Sequence, residues 1–357
     1  MIDGRDVLDA TPFVPPVRVG LLGTGLIGMA HLSDMVGRAD TVVAAICETR
    51  EAAAGAAIAR VTAPEAGSLP APAVEPDWRR FLEVTAREER LDAVLVATPH
   101  ALHFEQAMLA LGAGLDVLLE KPMVMNAAEA VELIRTRDRT GRLLVVGFQG
   151  SLSPRVRAAA AMIRSGEVGR ILNIDALAWQ DWQSRTVGTW RQDPAQSGGG
   201  FMFDTGAHML NTVADLSGED VVEVAAWLAD DGGPVDARGA VVARLASGAL
   251  ITMNGCGRAI PSLGSDIRVF CERAILRTGI WGERLEIQRQ GSSRLQAVRS
   301  VRHKSVWQQF LDVRAGREPN PSPPEVGLRM ARLWDAIRDS SARGGALVRP
   351  VREGVAA

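Results

Sequence analysis

Short apolar runs alternate with amphipathic stretches through the first 150 residues of the chain. Residues 17–22, 42–47, 91–97, 117–119 and 143–148 are dominated by aliphatic side chains, as strands buried on both faces of a parallel sheet require. Between them, 26–36, 50–60, 78–87, 103–111 and 127–140 carry helical patterns. Strands alternating with helices predict a doubly wound parallel sheet. The stretch 62–76, with Pro64, Pro70, Pro72 and Pro76, reads as a surface insertion.

After Gly150 the period changes. A helix at 155–164, a strand at 171–179, a glycine-rich loop and a helix at about 204–216 come first. Strands at 221–228, 237–245, 249–256, 266–271 and 284–290 follow, joined by short Gly or Asn turns that suggest an antiparallel meander. Helices at 305–314 and 325–341 close the chain. The expected class is α/β: a disordered leader at 1–16, a Rossmann-type dinucleotide-binding domain at 17–149, and an α+β substrate-binding and oligomerisation domain at 150–350.

Composition narrows the function. At 357 residues, 47% apolar, the chain can bury two cores. A net charge of −2 offers no basic field for a phosphate backbone, so nucleic acid is not an expected partner. Cys47, Cys256 and Cys271 have neither zinc-site spacing nor the even count of a disulfide framework, which fits a reducing cytoplasm. The N-terminus lacks the basic start and apolar stretch of a signal peptide, and no uncharged run is long enough to span a bilayer. A soluble cytoplasmic protein without a membrane partner is expected. Of 40 basic residues 38 are Arg; only Lys121 and Lys304 are Lys, a hint that a compact ammonium is wanted there.

Gly23-Thr24-Gly25-Leu26-Ile27-Gly28 follows the first strand and opens the first helix. That context lets the backbone approach a pyrophosphate and holds it on the helix N-terminus. Glu48, 20 residues after Gly28, ends the second strand, where a carboxylate accepts from ribose hydroxyls and repels a 2′-phosphate. Arg50 could instead grip that phosphate. NAD is therefore expected, NADP less so.

Thr98-Pro99-His100 and Glu120-Lys121-Pro122 each end a strand on the carboxyl edge, where open α/β sheets bind ligands. Thr98 should face the cofactor, and Lys121 should project into the same crevice. His103 reads as a packing or capping residue, His100 and His31 as surface. In the second domain Ser197-Gly198-Gly199-Gly200 precedes Asp204 and His208, four apart on one expected helix face. A carboxylate beside an imidazole suits proton transfer; a metal site would need further ligands, and none is expected.

These motifs, in this order, resemble the Gfo/Idh/MocA family over roughly 17–350. The resemblance implies a Rossmann domain joined to a large open, mainly antiparallel sheet whose exposed face makes homodimers or homotetramers. It implies that Lys121 touches the nicotinamide ribose and the reacting hydroxyl, that Glu120 lies near the cofactor, and that Asp204 and His208 form the substrate-side pair. A cis Lys121–Pro122 bond is implied too. By the same resemblance Gln149 lies beside the nicotinamide, and Trp190-Arg191 matches a Trp-Arg pair before the glycine triplet, Trp190 towards substrate and Arg191 towards cofactor. Gly150-Ser151-Leu152 departs from the Arg or aromatic residue many relatives carry there. Trp179, Trp182 and Trp190 could stack on a sugar ring or pack in the core.

The expected activity is reversible oxidation of a secondary alcohol on a sugar, polyol, inositol or glycoside by NAD, with Lys121, His208 and Asp204 catalytic. The alternatives are an NAD-dependent glycosidase acting through transient oxidation and a non-enzymatic dinucleotide sensor.

Overall fold

A computed structural model describes residues 16–64, 70–299 and 303–351. The leader expected at 1–16 lies, apart from Pro16, outside the described residues, as does part of the expected insertion. The chain divides into two compact units, 1–94 and 95–357.

The first unit is a βαβ arrangement. Strand β1 (Val17–Leu22) pairs in parallel with β2 (Thr41–Cys47), and the helices Leu26–Met35 and Glu51–Thr62 make the crossovers. The proline-rich stretch is more than an insertion, because it contributes a two-residue strand, β3 (Ala73–Val74), parallel to β2. Two residues show no periodicity, so the pattern missed them. A helical stretch with a π turn at Phe81–Thr85 leads to β4 (Ala93–Val96). The buried aliphatic side chains of β1 and β2 account for the continuous apolar runs.

With β5 (Asp116–Leu119) and β6 (Leu144–Val146), these strands form a six-stranded sheet in the order β3-β2-β1-β4-β5-β6. The helix Ala127–Thr140 begins and ends where the amphipathic pattern does. Asn126 accepts from the Glu129 N–H at 3.0 Å while its amide donates to the Glu129 carboxylate at 2.9 Å. At the other end Gly141, with φ 63°, takes the left-handed cap that a side chain would resist.

The second sheet has eight strands: β7 (Ile171–Asp181), β8 (Val221–Ala229), β9 (Arg238–Leu245), β10 (Leu250–Cys256), β11 (Arg258–Cys271), β12 (Ala274–Thr278), β13 (Leu285–Arg289) and β14 (Gln296–Ala297). Its order is β14-β13-β12-β11-β7-β10-β9-β8. It is not a pure antiparallel meander, because β7 lies between β11 and β10 and runs parallel to β10. Such a non-local insertion leaves no trace in local alternation. Strand β11 also starts at Arg258, well before residue 266, and shifts register between Arg258 and Leu263.

Side chains alternate in burial along β9 and β10. On the covered face the helix Gly206–Ser217 packs against β7, and the helix Pro324–Ala342 against β8 and the helix Ala127–Thr140. The other face carries exposed Leu177, Trp227, Val242 and Leu250. Hydrogen bonds from the Ala127 N–H to Asp335 and from Arg314 to Asp116, both at 2.9 Å, tie the closing helices to the β5 side of the parallel sheet.

Candidate active site

The glycine loop between β1 and the first helix is shaped for an anion. Gly23 has φ 90°, and Gly25 caps the helix Leu26–Met35 without a side-chain hydrogen bond and with no acidic residue in the first turn. A Cβ on Gly25 would meet nothing within 4 Å among the described residues. Free N–H groups, the positive end of the helix dipole and open space fit a dinucleotide pyrophosphate. Leu26, 84% exposed at the helix start, offers apolar surface to such a ligand.

Glu48 is buried at the end of β2. Its Oε2 accepts from the Thr24 N–H and hydroxyl, both at 3.0 Å; its Oε1 accepts from the Arg50 N–H at 3.0 Å and from Arg50 Nε at 3.1 Å. Burial works to raise its pKa, but the Arg50 and Thr24 hydrogen bonds outweigh it and hold the carboxylate down at about 2. Arg50 is thus clasped to Glu48 instead of standing free. A carboxylate has about four acceptor positions, so any further donor to Glu48 must compete with Arg50.

In the second unit the helix after β4 starts at His100, earlier than the expected 103. Thr98 donates its hydroxyl to Gln106 Oε1 at 2.6 Å, and Pro99 is the helix N-cap. Both ring nitrogens of the buried His103 face carbonyls, Pro122 at 2.8 Å and Thr98 at 3.0 Å. His103 therefore braces the segment that carries Lys121, as a packing residue would. His100 and His31 are not surface residues, with 3% and 6% exposure. Nothing in the local sequence around His100 signals burial, which comes from the packing of residues 190–203 about it. His100 Nδ1 lies 2.8 Å from the Ser197 carbonyl and so carries the hydrogen, and its ring meets Trp190 edge-on at 4.6 Å.

Lys121, whose peptide bond to Pro122 is cis as expected, converges with Asp204. Its Nζ donates to Asp204 Oδ1 and to the Asp204 carbonyl, both at 3.0 Å. Asp204 Oδ2 accepts from Trp182 Nε1 at 2.8 Å and Arg191 Nε at 3.0 Å, and His100 Nε2 stands 3.9 Å from Oδ1. Desolvation would raise the Asp204 pKa; Lys121 and Arg191 overcome it and keep the carboxyl ionised, well below its usual range. Asp204 is not on the helix, as the spacing implied. It lies in the turn held by its N–H bond to the Gly200 carbonyl at 2.9 Å, and the helix begins at Gly206. The glycine triplet is sterically required there, because a Cβ on Gly200 would sit 1.8 Å from the Asp236 carbonyl oxygen.

His208, in the first turn of the helix Gly206–Ser217, is buried between Phe148 and Trp281, with ring centroids at 6.5 and 5.8 Å. Its Nδ1 has no hydrogen-bond partner among the described residues, Asp204 included. Burial, reinforced by the Lys121 charge, pushes its pKa down to about 3 and keeps the imidazole neutral. Trp281 was not legible as a neighbour, since it arrives from the loop between β12 and β13.

Of the remaining expected residues, Glu120 accepts from the Lys121 N–H at 3.1 Å and Gln149 is exposed at the start of a short helix. Arg191 also lies over the Trp190 ring at 4.4 Å. The three neighbouring tryptophans do different jobs: Trp182 binds Asp204, Trp190 covers His100, and Trp179 lies across from Gly264 on β11. Among the described residues no group of three His, Cys, Asp or Glu could hold a metal. No helix among them is long and apolar enough to cross a membrane.

A half-buried ammonium, a carboxylate that fixes it and a neutral imidazole can together take a proton and stabilise an oxyanion. Comparison with known proteins supplies the wider context. Residues 17–148 match the oxidoreductase family with an NAD-binding Rossmann fold, and 156–277 the GFO/IDH/MocA C-terminal domain. Over 160 residues, 45% of this chain, it is 30% identical to the 1-carboxy-3-chloro-3,4-dihydroxycyclohexa-1,5-diene dehydrogenase of Comamonas testosteroni, covering 39% of that protein. Over 163 residues, 44% of this chain, it is 33% identical to the inositol 2-dehydrogenase of Leifsonia xyli, covering 43% of it. The chain thus matches well under two thirds of the length of these curated relatives. An inositol dehydrogenase homologue from Azotobacter vinelandii, solved with NAD+, shares the fold, with a TM-score of 0.77 and 21% identity over 94% of this chain and 97% of that one. With matches on both its N-terminal and its C-terminal parts, the chain belongs to the Gfo/Idh/MocA family of NAD-binding oxidoreductases.

Proposed function

We propose that the protein is an NAD-dependent dehydrogenase that oxidises a secondary alcohol on a sugar, polyol, inositol or glycoside. The observation that carries this reading is the pairing of the half-buried Lys121 ammonium with Asp204, within electrostatic reach of a neutral His208. Residues 17–149 serve as the dinucleotide domain and 150–350 as the substrate domain. Bound NAD supplies the hydride acceptor. Gly23, Gly25 and Gly28 would hold its pyrophosphate and Glu48 its adenosine ribose, with Thr98, Pro99, Glu120, Gln149 and Arg191 on its nicotinamide side.

The residues divide the remaining work. An ammonium has three donors, and Asp204 takes two of those of Lys121, which leaves one N–H for the substrate oxygen. His208, already neutral, accepts the hydroxyl proton as the C–H bond gives up its hydride, and Lys121 stabilises the negative charge growing on that oxygen. Asp204 fixes the ammonium, while Trp190 offers a flat wall to the substrate ring. A panel of sugars, inositols and glycosides with NAD, followed by nicotinamide absorbance, tests the reading; no reduction of NAD with any of them would overturn it.

We further propose a homodimer or homotetramer in a reducing cytoplasm. The open face of the eight-stranded sheet, with Trp227 55% and Val242 48% exposed, supports the assembly, and three unpaired cysteines support the compartment. Light scattering would read the assembly, and a monomer at micromolar concentration would refute it.

A further inference from the structure

A polar cavity of about 170 Å³ lies beyond the far end of the helix that carries His208. Its walls come mainly from four helices in the second unit. Ser151 stands in the short helix Gln149–Leu152, Arg157 and Arg164 in the helix Pro154–Arg164, and Asp215 and Arg329 on the helices Gly206–Ser217 and Pro324–Ala342. Three arginines and one carboxylate line it.

That carboxylate is already committed. Asp215 accepts from Arg329 through Oδ1 and from the Ser151 hydroxyl through Oδ2, and Ser151 in turn accepts from Asn211 at 2.8 Å. The arginines keep unused capacity. Arg329 Nε is buried without a partner among the described residues. Arg157 donates Nη1 to two neutral oxygens, the Leu152 carbonyl and Gln309 Oε1, both at 2.9 Å, and burial depresses its pKa against the pull of Glu318. Arg164 is exposed at the rim, and its charge reaches Asp215 through space. A buried N–H without an acceptor, beside a net excess of planar donor forks, matches what an oxyanion supplies.

We propose that this cavity binds a small oxyanion, either free phosphate or the phosphate of a small phosphomonoester. Its volume lies below the roughly 300–1,000 Å³ of pockets that hold drug-sized ligands, so a nucleotide or a glycoside does not fit. It is separate from the reacting groups, because Asp215 follows His208 by seven residues, about 10 Å along a helix that rises about 1.5 Å per residue. A ligand there bears on the helix that positions the imidazole.

The test is thermal unfolding and calorimetry of the full chain, saturated with NAD so that the glycine loop is occupied, titrated with inorganic phosphate or glycerol phosphate at constant ionic strength. A saturable rise in Tm is expected. Arg164→Gln, at an exposed side chain, should keep the Tm measured without phosphate and weaken phosphate binding by about tenfold, as loss of a charge-assisted contact would; Arg157→Gln should weaken it as well. Tighter binding of glycerol phosphate would identify the phosphomonoester as the occupant, and tighter binding of inorganic phosphate the free ion. The proposal is overturned if neither saturates, if chloride at equal ionic strength gives the same shift, or if Arg164→Gln responds as the unaltered protein does.

Discussion

Lys121 reaches Asp204 twice, donating to its carbonyl and to its carboxylate at 3.0 Å each. The double contact fixes the ammonium in direction as well as in charge, and Trp182 and Arg191 saturate the other carboxylate oxygen. A carboxylate this buried is ionised only because its cations are in place.

Asp204→Asn should therefore be costly to the fold, not only to activity. It leaves Lys121 and Arg191 without their anion, and breaking a buried pair in this way costs about 3–5 kcal/mol. Urea denaturation reads the loss; a change near zero would mean that water already screens the cluster.

His208 sets a pH expectation. An ordinary histidine would cut activity as pH falls through 6.5, but this imidazole stays neutral down to about 3. The pH profile of kcat/KM should show no acid limb near 6.5 that belongs to His208. A limb there that vanishes in His208→Asn would contradict the assigned environment.

The same burial links stability to pH. His100 and His208 both have folded pKa values lowered from 6.5 to about 3, so between those values the unfolded chain binds more protons. Stability should be fullest above 6.5 and fall as pH drops toward 3, by about 1.4 kcal/mol per pH unit for each histidine. Denaturation between pH 7 and 5 measures the slope, which His208→Asn should reduce; an unchanged slope would refute its share.

At the other site Glu48 and Arg50 form one unit. Glu48→Ser removes the proposed ribose acceptor and releases the guanidinium, so NAD affinity should fall and NADP affinity rise, each by about tenfold, the worth of a charge-assisted contact. Titration of both cofactors decides it, and unchanged preference would show that Glu48 does not select the ribose.

Gly200→Ala should destabilise the protein by at least the roughly 1–3 kcal/mol of an overpacked core, because its Cβ would collide with the Asp236 carbonyl at 1.8 Å. A Tm unchanged by the substitution would mean that the turn can shift.

Much of this was legible in the sequence, for identifiable reasons. The parallel strands announced themselves because burial on both faces leaves continuous aliphatic runs, and the helix Ala127–Thr140 because its ends coincide with strong local caps. Lys121, Asp204 and His208 stood out through residue type and position at element ends. What escaped was non-local. The insertion of β7 beside β10, the burial of His100 under Trp190, and the approach of Trp281 to His208 all depend on segments distant in sequence. Asp204 looked helical because spacing of four cannot distinguish a helix from the turn that precedes it.

The most direct test is the turnover of Lys121→Met and His208→Asn on a substrate the unaltered enzyme oxidises, with NAD binding followed separately. Both variants should bind NAD nearly as tightly as before and lose about 10²–10⁴-fold in kcat, the usual contribution of a positioned acid or base. Full turnover in either variant would contradict the division of labour between the Lys121 ammonium and the His208 imidazole.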